Sequence, residues 1–280
     1  MLTILLGLAA ALSWGAGDFS GGLISRHTGA VRSALYVEAC GLLPLVLLAG
    51  VSGQIGKLSF IDWIICGVAG VLGCLGLVAL YAALANGSMS IAAPVASLTS
   101  AGLPLIVGGL RDGWPPAVTL AGFGLALLAI WLIAQPGDKH SIVPAGWGQL
   151  GLPLLAGLGF GSYYILINLG SRNSLFEPLI AVRVAGSTAL LIFAGFKRQL
   201  QWPPRSIWPL LSGNTVFDIG GSLLYILASQ VGRMDIAALL GSLYSGATVL
   251  LAWIFLREKI NNWQRCGLLL CGVAIYLMTF

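Results

Sequence analysis

The sequence predicts an all-α membrane protein, with ten transmembrane helices arranged as two inverted five-helix repeats. Three observations carry this expectation: the composition, the length of the apolar runs, and one internal offset that recurs along the chain. Of 280 residues, 58% are hydrophobic and only 8% are charged, where a soluble domain carries about a quarter charged residues. So few charges do not make a water-facing surface over this length. In hydrocarbon a backbone survives only as helices or as a closed barrel, because every N–H and C=O must be paired internally. The apolar runs here are about 20 residues long, the length of a spanning helix, whereas barrel strands are about 10 residues and alternate.

Ten such runs, bounded by Gly, Pro, Asn or charge, lie at about 2–24, 32–50, 60–85, 90–110, 116–134, 147–169, 177–196, 206–231, 234–256 and 264–280. The first has no basic flank, and a similar run recurs at 150–160, so it reads as a spanning helix and not as a signal segment. The gaps near 85–90 and 231–234 are short enough to make tight helical hairpins. Between the fifth and sixth runs lies Gln135–Gly146, QPGDKHSIVPAG, whose prolines and glycines read as a linker. This divides the chain into a first five-helix unit at 1–134, a linker at 135–146 and a second five-helix unit at 147–280.

The two units resemble each other. Gly87-Ser88-Met89-Ser90-Ile91-Ala92-Ala93 reads against Gly232-Arg233-Met234-Asp235-Ile236-Ala237-Ala238, and Ile91 and Ile236 lie 145 residues apart. Ser97-Leu98-Thr99-Ser100 against Ser242-Leu243-Tyr244-Ser245, and Ala129-Ile130-Trp131-Leu132 against Ala274-Ile275-Tyr276-Leu277, keep the same 145. Ser25-Arg26 matches Ser171-Arg172 at 146. Single matches between apolar segments are weak, but one offset held across separated segments is not. Because each unit has an odd number of spans, the second enters the membrane from the opposite side. Inverted repeats of this kind are typical of secondary transporters.

Several function classes are disfavoured. The net charge of +5 is scattered, with no basic run suited to nucleic acid, and no nucleic-acid partner is expected. No Walker motif, HExxH or GxSxG occurs, which argues against an ATP-driven pump and against an enzyme. The cysteines Cys40, Cys66, Cys74, Cys266 and Cys271 have no CxxC spacing and read as small buried apolar residues, while His27 and His140 read as loop residues. No metal and no cofactor is expected.

The order and spacing of several segments resemble the EamA family of the drug/metabolite transporter superfamily. They are a Trp14-Gly15 turn late in span 1, Tyr81-Ala82-Ala83-Leu84, the span with Pro94 and Ser97, Arg111-Asp112, and the glycine-rich helix from Gly122. The second unit repeats them as Phe160-Gly161, Tyr225, Ser242, Leu256-Arg257-Glu258-Lys259 and Gly267 onward. The resemblance implies a ten-helix carrier in a bacterial cytoplasmic (inner) membrane, surrounded by membrane lipid. It also implies a central cavity lined by spans 1–4 and 6–9, with spans 5 and 10 outside it or at a homodimer contact. For orientation, nine Lys and Arg fall in the loops after odd-numbered spans and four in the others, which puts both termini outside the cytoplasm. The resemblance implies both inside.

An ionisable residue inside a span costs about 2.5–3.5 kcal/mol on insertion scales and is kept where it meets a partner or a wet cavity. Four stand out: Asp18, Glu38, Arg183 and Asp218. Glu38 and Arg183 lie 145 residues apart and hold the same place in the two units with opposite charge. Inverted symmetry sets them on opposite sides of the midplane, separated in depth by about 9 Å at 1.5 Å rise per residue. That is too far for a direct ion pair without side-chain reach, and close to the span of a small zwitterion. Arg183 would then take a substrate carboxylate, and Glu38 or Asp18 an ammonium or a proton. Trp14 shares a helix face with Asp18, and Tyr81, Tyr225 and Tyr244 lie in cavity-lining spans, so these complete the candidate substrate site. Ala9, Ser13, Gly17 and Gly21, and Gly70, Gly73 and Gly76, read as close-packing ridges. Pro94 and Pro104 predict a kink in span 4.

The expected function is therefore secondary transport, as exporter or exchanger, of a small metabolite, amino acid or drug-like solute by alternating access. Proton coupling would run through Asp18, Glu38 or Asp218. The alternatives are a lipid-carrier flippase and a membrane-embedded lipid-modifying enzyme.

Overall fold

The structure is a computed structural model that describes residues 1–86, 89–133, 135, 147–256 and 261–278. The described residues are all-helical. In chain order the helices are α1 Leu2–Thr28, α2 Ala30–Val51, α3 Phe60–Asn86, α4 Met89–Asp112, α5 Ala117–Ile133, α6 Trp147–Gly170, α7 Glu177–Phe196, α8 Trp208–Val231, α9 Met234–Gly241, α10 Tyr244–Leu256 and α11 Asn262–Leu277. A 3₁₀ turn at Arg205–Ile207 leads into α8. Eight stretches are long and apolar enough to cross a membrane, with α9 and α10 together forming one of them, Met234–Leu256. Large apolar side chains such as Leu43, Leu47, Phe193, Phe196, Trp253 and Leu269 are exposed on the outside of the bundle. A water-soluble surface does not carry so many, whereas a lipid-facing one requires them.

The remaining expected spans are shorter. Helix α5 has 17 residues and α11 has 16, about 25 Å at 1.5 Å per residue. They pack along each other at the side of the bundle. Their ends are joined by polar side chains. Asn261 caps α11 by accepting from Gln264 N at 2.7 Å, and Gln264 Oε1 accepts in return from Asn261 N at 3.1 Å. The spare amides of the same two residues donate to Gln135 O and Ile133 O, satisfying carbonyls at the end of α5. The linker from residue 136 to 146, the segment at residues 87 and 88, and Arg257-Glu258-Lys259 lie outside the described residues.

Helices α1 and α2 are separated only by Gly29, whose φ of 82° lies in the left-handed region where a side chain is strained. Elsewhere small residues set how closely the helices approach. Ser13 Oγ on α1 donates to Phe217 O on α8 at 2.6 Å, and Gly21 accommodates the Tyr81 ring. A Cβ at Gly70 would collide with the Val182 backbone of α7. Gly70→Ala is thus expected to force α3 and α7 apart and lower the stability of purified protein by about 1–3 kcal/mol. An unchanged thermal unfolding midpoint would show that the contact is not tight.

Three expectations are corrected here. Trp14-Gly15 is not a turn, because both residues lie within the continuous helix α1. His27 belongs to the last turn of α1. Among the cysteines, Cys66 and Cys74 are buried, but Cys40 and Cys266 lie exposed on the outer surface, where a thiol is apolar enough to face lipid. Helix α4 stays helical through Pro94 and Pro104. The interruption occurs instead in its partner, between α9 and α10. There Leu243 N bonds Leu240 O and Gly246 N bonds Leu243 O, a tightened turn that breaks the α-helical ladder. Such backbone is tolerated at membrane depth only when protein covers it, and residues 237–249 are buried throughout.

Candidate functional site

A cavity of about 70 Å³ lies at the centre of the bundle. Its charged residues are Asp18 from α1, Glu38 from α2, Arg183 from α7 and Asp218 from α8. Trp14, Phe160, Tyr163, Tyr164 and Tyr244 supply aromatic walls, and Leu77, Leu179 and Val182 supply aliphatic ones.

Arg183 is the hub. Its guanidinium is hydrogen-bonded to Asp218 through Nη2 and lies 3.2 Å from Glu38 Oε2 through Nη1. This overturns the expected separation of Glu38 and Arg183, which form a direct buried ion pair. Two glycines explain why. Gly41 follows Glu38 by three residues, and a Cβ there would stand 3.2 Å from Arg183 Nε. Gly186 follows Arg183 by three, and a Cβ there would stand 3.4 Å from Glu38 Oε2. Each charged group therefore extends along helix surface left bare by the other helix's glycine. The long arginine stem covers the remaining difference in depth. A substrate carboxylate would find this arginine already engaged by two carboxylates, so its assumed role is not supported.

Asp18 differs from the other two acids. Among the described residues it has no hydrogen-bond or ion-pair partner, and its electrostatic neighbours include Asp218 together with Tyr81, Tyr164 and Tyr244. Both Asp18 and Asp218 keep some exposure to the cavity.

Of the residues singled out in the sequence, Trp14, Asp18, Glu38, Arg183, Asp218 and Tyr244 meet at this cavity. Tyr81 and Tyr225 lie behind its wall and are fully buried. The Tyr225 hydroxyl donates to Tyr164 O at 2.9 Å, and its ring packs on Tyr164 and Trp14 at centroid distances of 4.8 and 5.7 Å. The Tyr81 hydroxyl lies 3.5 Å from Asn214 Nδ2, which also donates to Gly17 O and Ser20 Oγ, tying α8 to α1.

The sequence reading missed Phe160 as a wall residue, and also Tyr163, Tyr164, Gly73, Cys74 and Ser222. The signal was available in the repeat. Carrying Asp18 forward by 146 lands on Tyr164, and Trp14 on Phe160. Carrying Asp218 and Ser222 back by 145 lands on Gly73 and Leu77. Because the equivalents of Asp18 and Asp218 are uncharged, a search for ionisable groups alone passes these positions over.

A set of apolar helices around a buried charged cavity defines an integral membrane protein with a central polar site. Residues 146–280 match the EamA-like transporter family, which is part of the drug/metabolite transporter superfamily. Its members are membrane transporters. Among 27 solved chains that match, one crystal structure aligns with a TM-score of 0.77 at 15% identity, covering 99% of this chain and 96% of that one. At that identity the likeness concerns the fold alone. No curated protein matches the sequence.

Proposed function

We propose that the chain is a secondary carrier of a small metabolite, amino acid or drug-like solute in a bacterial cytoplasmic membrane. In this reading ten spans form two inverted repeats, 1–134 and 147–280, joined by 135–146, and the repeats exchange roles as the site opens to either side. The observation that carries it is the cavity at the seam of the two units, lined by residues related through the repeat: Trp14 and Phe160, Asp18 and Tyr164, Glu38 and Arg183, Gly73 and Asp218, Leu77 and Ser222.

The helix packing supports the same reading. Helix α1 packs on α8 as α6 packs on α3, and α1 packs on α9 and α10 as α6 packs on α4. Helices α2 and α7, and α5 and α11, meet their own counterparts. The loops repeat the pattern. Glu177, at the start of α7, accepts from the backbone N–H groups of Gly56, Lys57 and Leu58 at 2.7–2.8 Å, holding the α2–α3 loop. Arg32, at the equivalent place in α2, bonds Gln201 of the α7–α8 loop, whose backbone carbonyl also accepts from Tyr36. Under inverted symmetry these two latches close opposite ends of the path.

Reconstituted proteoliposomes test the carrier reading. Vesicles preloaded with a mixed pool of unlabelled amines, amino acids and organic acids should accumulate an external labelled member of the pool by counterflow. Arg183→Met combined with Glu38→Gln and Asp218→Asn, which leaves no charge of that network unpaired, should reduce that exchange to background while the purified protein keeps its monodisperse elution. Equal exchange in empty vesicles and in those with protein, across the whole pool, would refute transport.

A further inference from the structure

We infer that the cavity recognises its solute by a single positive charge, an organic ammonium seated against Asp18, and that it rejects carboxylates. This rests on the carrier reading above and names the substrate class of that same site.

The charge count decides the sign. Three carboxylates, Asp18, Glu38 and Asp218, face one guanidinium, Arg183. With all four ionised the cavity carries a net charge of −2, and protonating any one acid still leaves −1. Arg183 is committed to Glu38 and Asp218. A carboxylate ligand would have to displace one of these acids and would face Asp18 uncompensated. An ammonium has the opposite experience, because Asp18 has no hydrogen-bond or ion-pair partner among the described residues. A lone carboxylate at membrane depth is costly until a counter-charge arrives.

The walls agree with the charge. Trp14 stacks on Tyr164 with centroids 5.4 Å apart, and Phe160 meets Tyr244 edge-on at 6.4 Å. The Trp14 side chain is one helical turn from Asp18, and Tyr164 and Tyr244 are among the electrostatic neighbours of its carboxylate. Ring faces beside a carboxylate attract a cation and do nothing for an anion. Leu77, Leu179 and Val182 provide an apolar boundary for a compact hydrocarbon body. The cavity of about 70 Å³ is small beside the roughly 300–1,000 Å³ of ordinary small-molecule sites, which favours a slim primary ammonium over a bulky quaternary one.

The test uses three probes of similar size and different charge: 2-phenylethylamine, 2-phenylethanol and phenylacetate. Isothermal titration and thermal unfolding of the purified full chain in detergent report binding directly. The amine is expected to bind and stabilise, the alcohol to bind at least tenfold more weakly, and phenylacetate not to bind. Asp18→Asn should weaken amine binding at least tenfold while its unliganded unfolding midpoint stays at or above the parent value. Should that variant not fold, Asp18→Glu, which keeps the charge, is expected to retain amine binding. Binding of phenylacetate as tight as that of the amine, amine binding indifferent to Asp18→Asn, or no binding of the amine overturns the inference. Counterflow of an anionic or neutral solute that survives Asp18→Asn would keep the carrier reading and remove this one. Amine binding without any counterflow would do the reverse.

Discussion

Arg183→Ala is expected to be the most damaging single substitution in the chain. It removes the counter-ion of Glu38 and Asp218 together, and leaves those two and Asp18 as carboxylates in one cavity without a cation. Breaking a buried pair by deleting one partner costs about 3–5 kcal/mol, because the orphaned charge keeps its desolvation penalty and loses its attraction. Two orphaned acids place this case at the upper end. Folded yield after extraction and the unfolding midpoint should both fall sharply. The mechanism makes a second, sharper demand: combining Arg183→Met with Glu38→Gln and Asp218→Asn should recover most of the loss, since no buried charge is then left unpaired. If the triple variant is as unstable as Arg183→Ala, the damage comes from lost packing and not from charge. Arg183→Lys should fall between the two, because an ammonium lacks the planar fork that spans both acids. Full transport in that variant would show that the fork is dispensable.

Glu177→Ala is the second large effect. This side chain is buried at the N-terminus of α7, where the helix dipole already favours a negative charge. It accepts from three consecutive backbone N–H groups of the α2–α3 loop. A carboxylate bonded in this way is worth more than a neutral acceptor, and its removal strands three donors. With part of the loop able to rehydrate, a loss of about 2–3 kcal/mol follows. Glu177→Gln should recover only a portion, because one amide oxygen replaces two carboxylate oxygens. Limited proteolysis gives the local readout: cleavage within Gly53–Ser59 should accelerate in Glu177→Ala. The equivalent Arg32→Ala should leave that loop alone, since Arg32 holds Gln201 at a different loop. Equal protease sensitivity of parent and Glu177→Ala would remove the latch from consideration.

Much of the fold was legible because hydrocarbon imposes a length and a composition on anything that crosses it. The runs at 60–85, 177–196 and 206–231 correspond within a residue or two at each end to helical stretches of the structure. The break between α9 and α10 was not legible. A proline is the usual sequence sign of an interrupted helix, yet α4 absorbs two without interruption while Gly241-Ser242-Leu243 yields. Whether a helix breaks depends on whether its neighbours cover the freed backbone, and here residues 237–249 are buried throughout.

For the candidate site, the sequence singled out four ionisable residues. Carboxylates and an arginine within apolar runs are too costly to be incidental, and those four now share one cavity. What the sequence alone determined was thus the solvent, the helical class and the inventory of intramembrane charge, all of which follow from local composition and periodicity. Who pairs with whom was decided by the tertiary structure. Depth along a helix can be counted from sequence, but the approach of two helix axes cannot. That approach is set by Gly41 and Gly186, which let α2 and α7 close until Glu38 and Arg183 meet. With Arg183 engaged by Glu38 and Asp218, Asp18 is the one of the three acids without a hydrogen-bond or ion-pair partner among the described residues, which is why a cation is inferred there and not the zwitterion expected from the sequence.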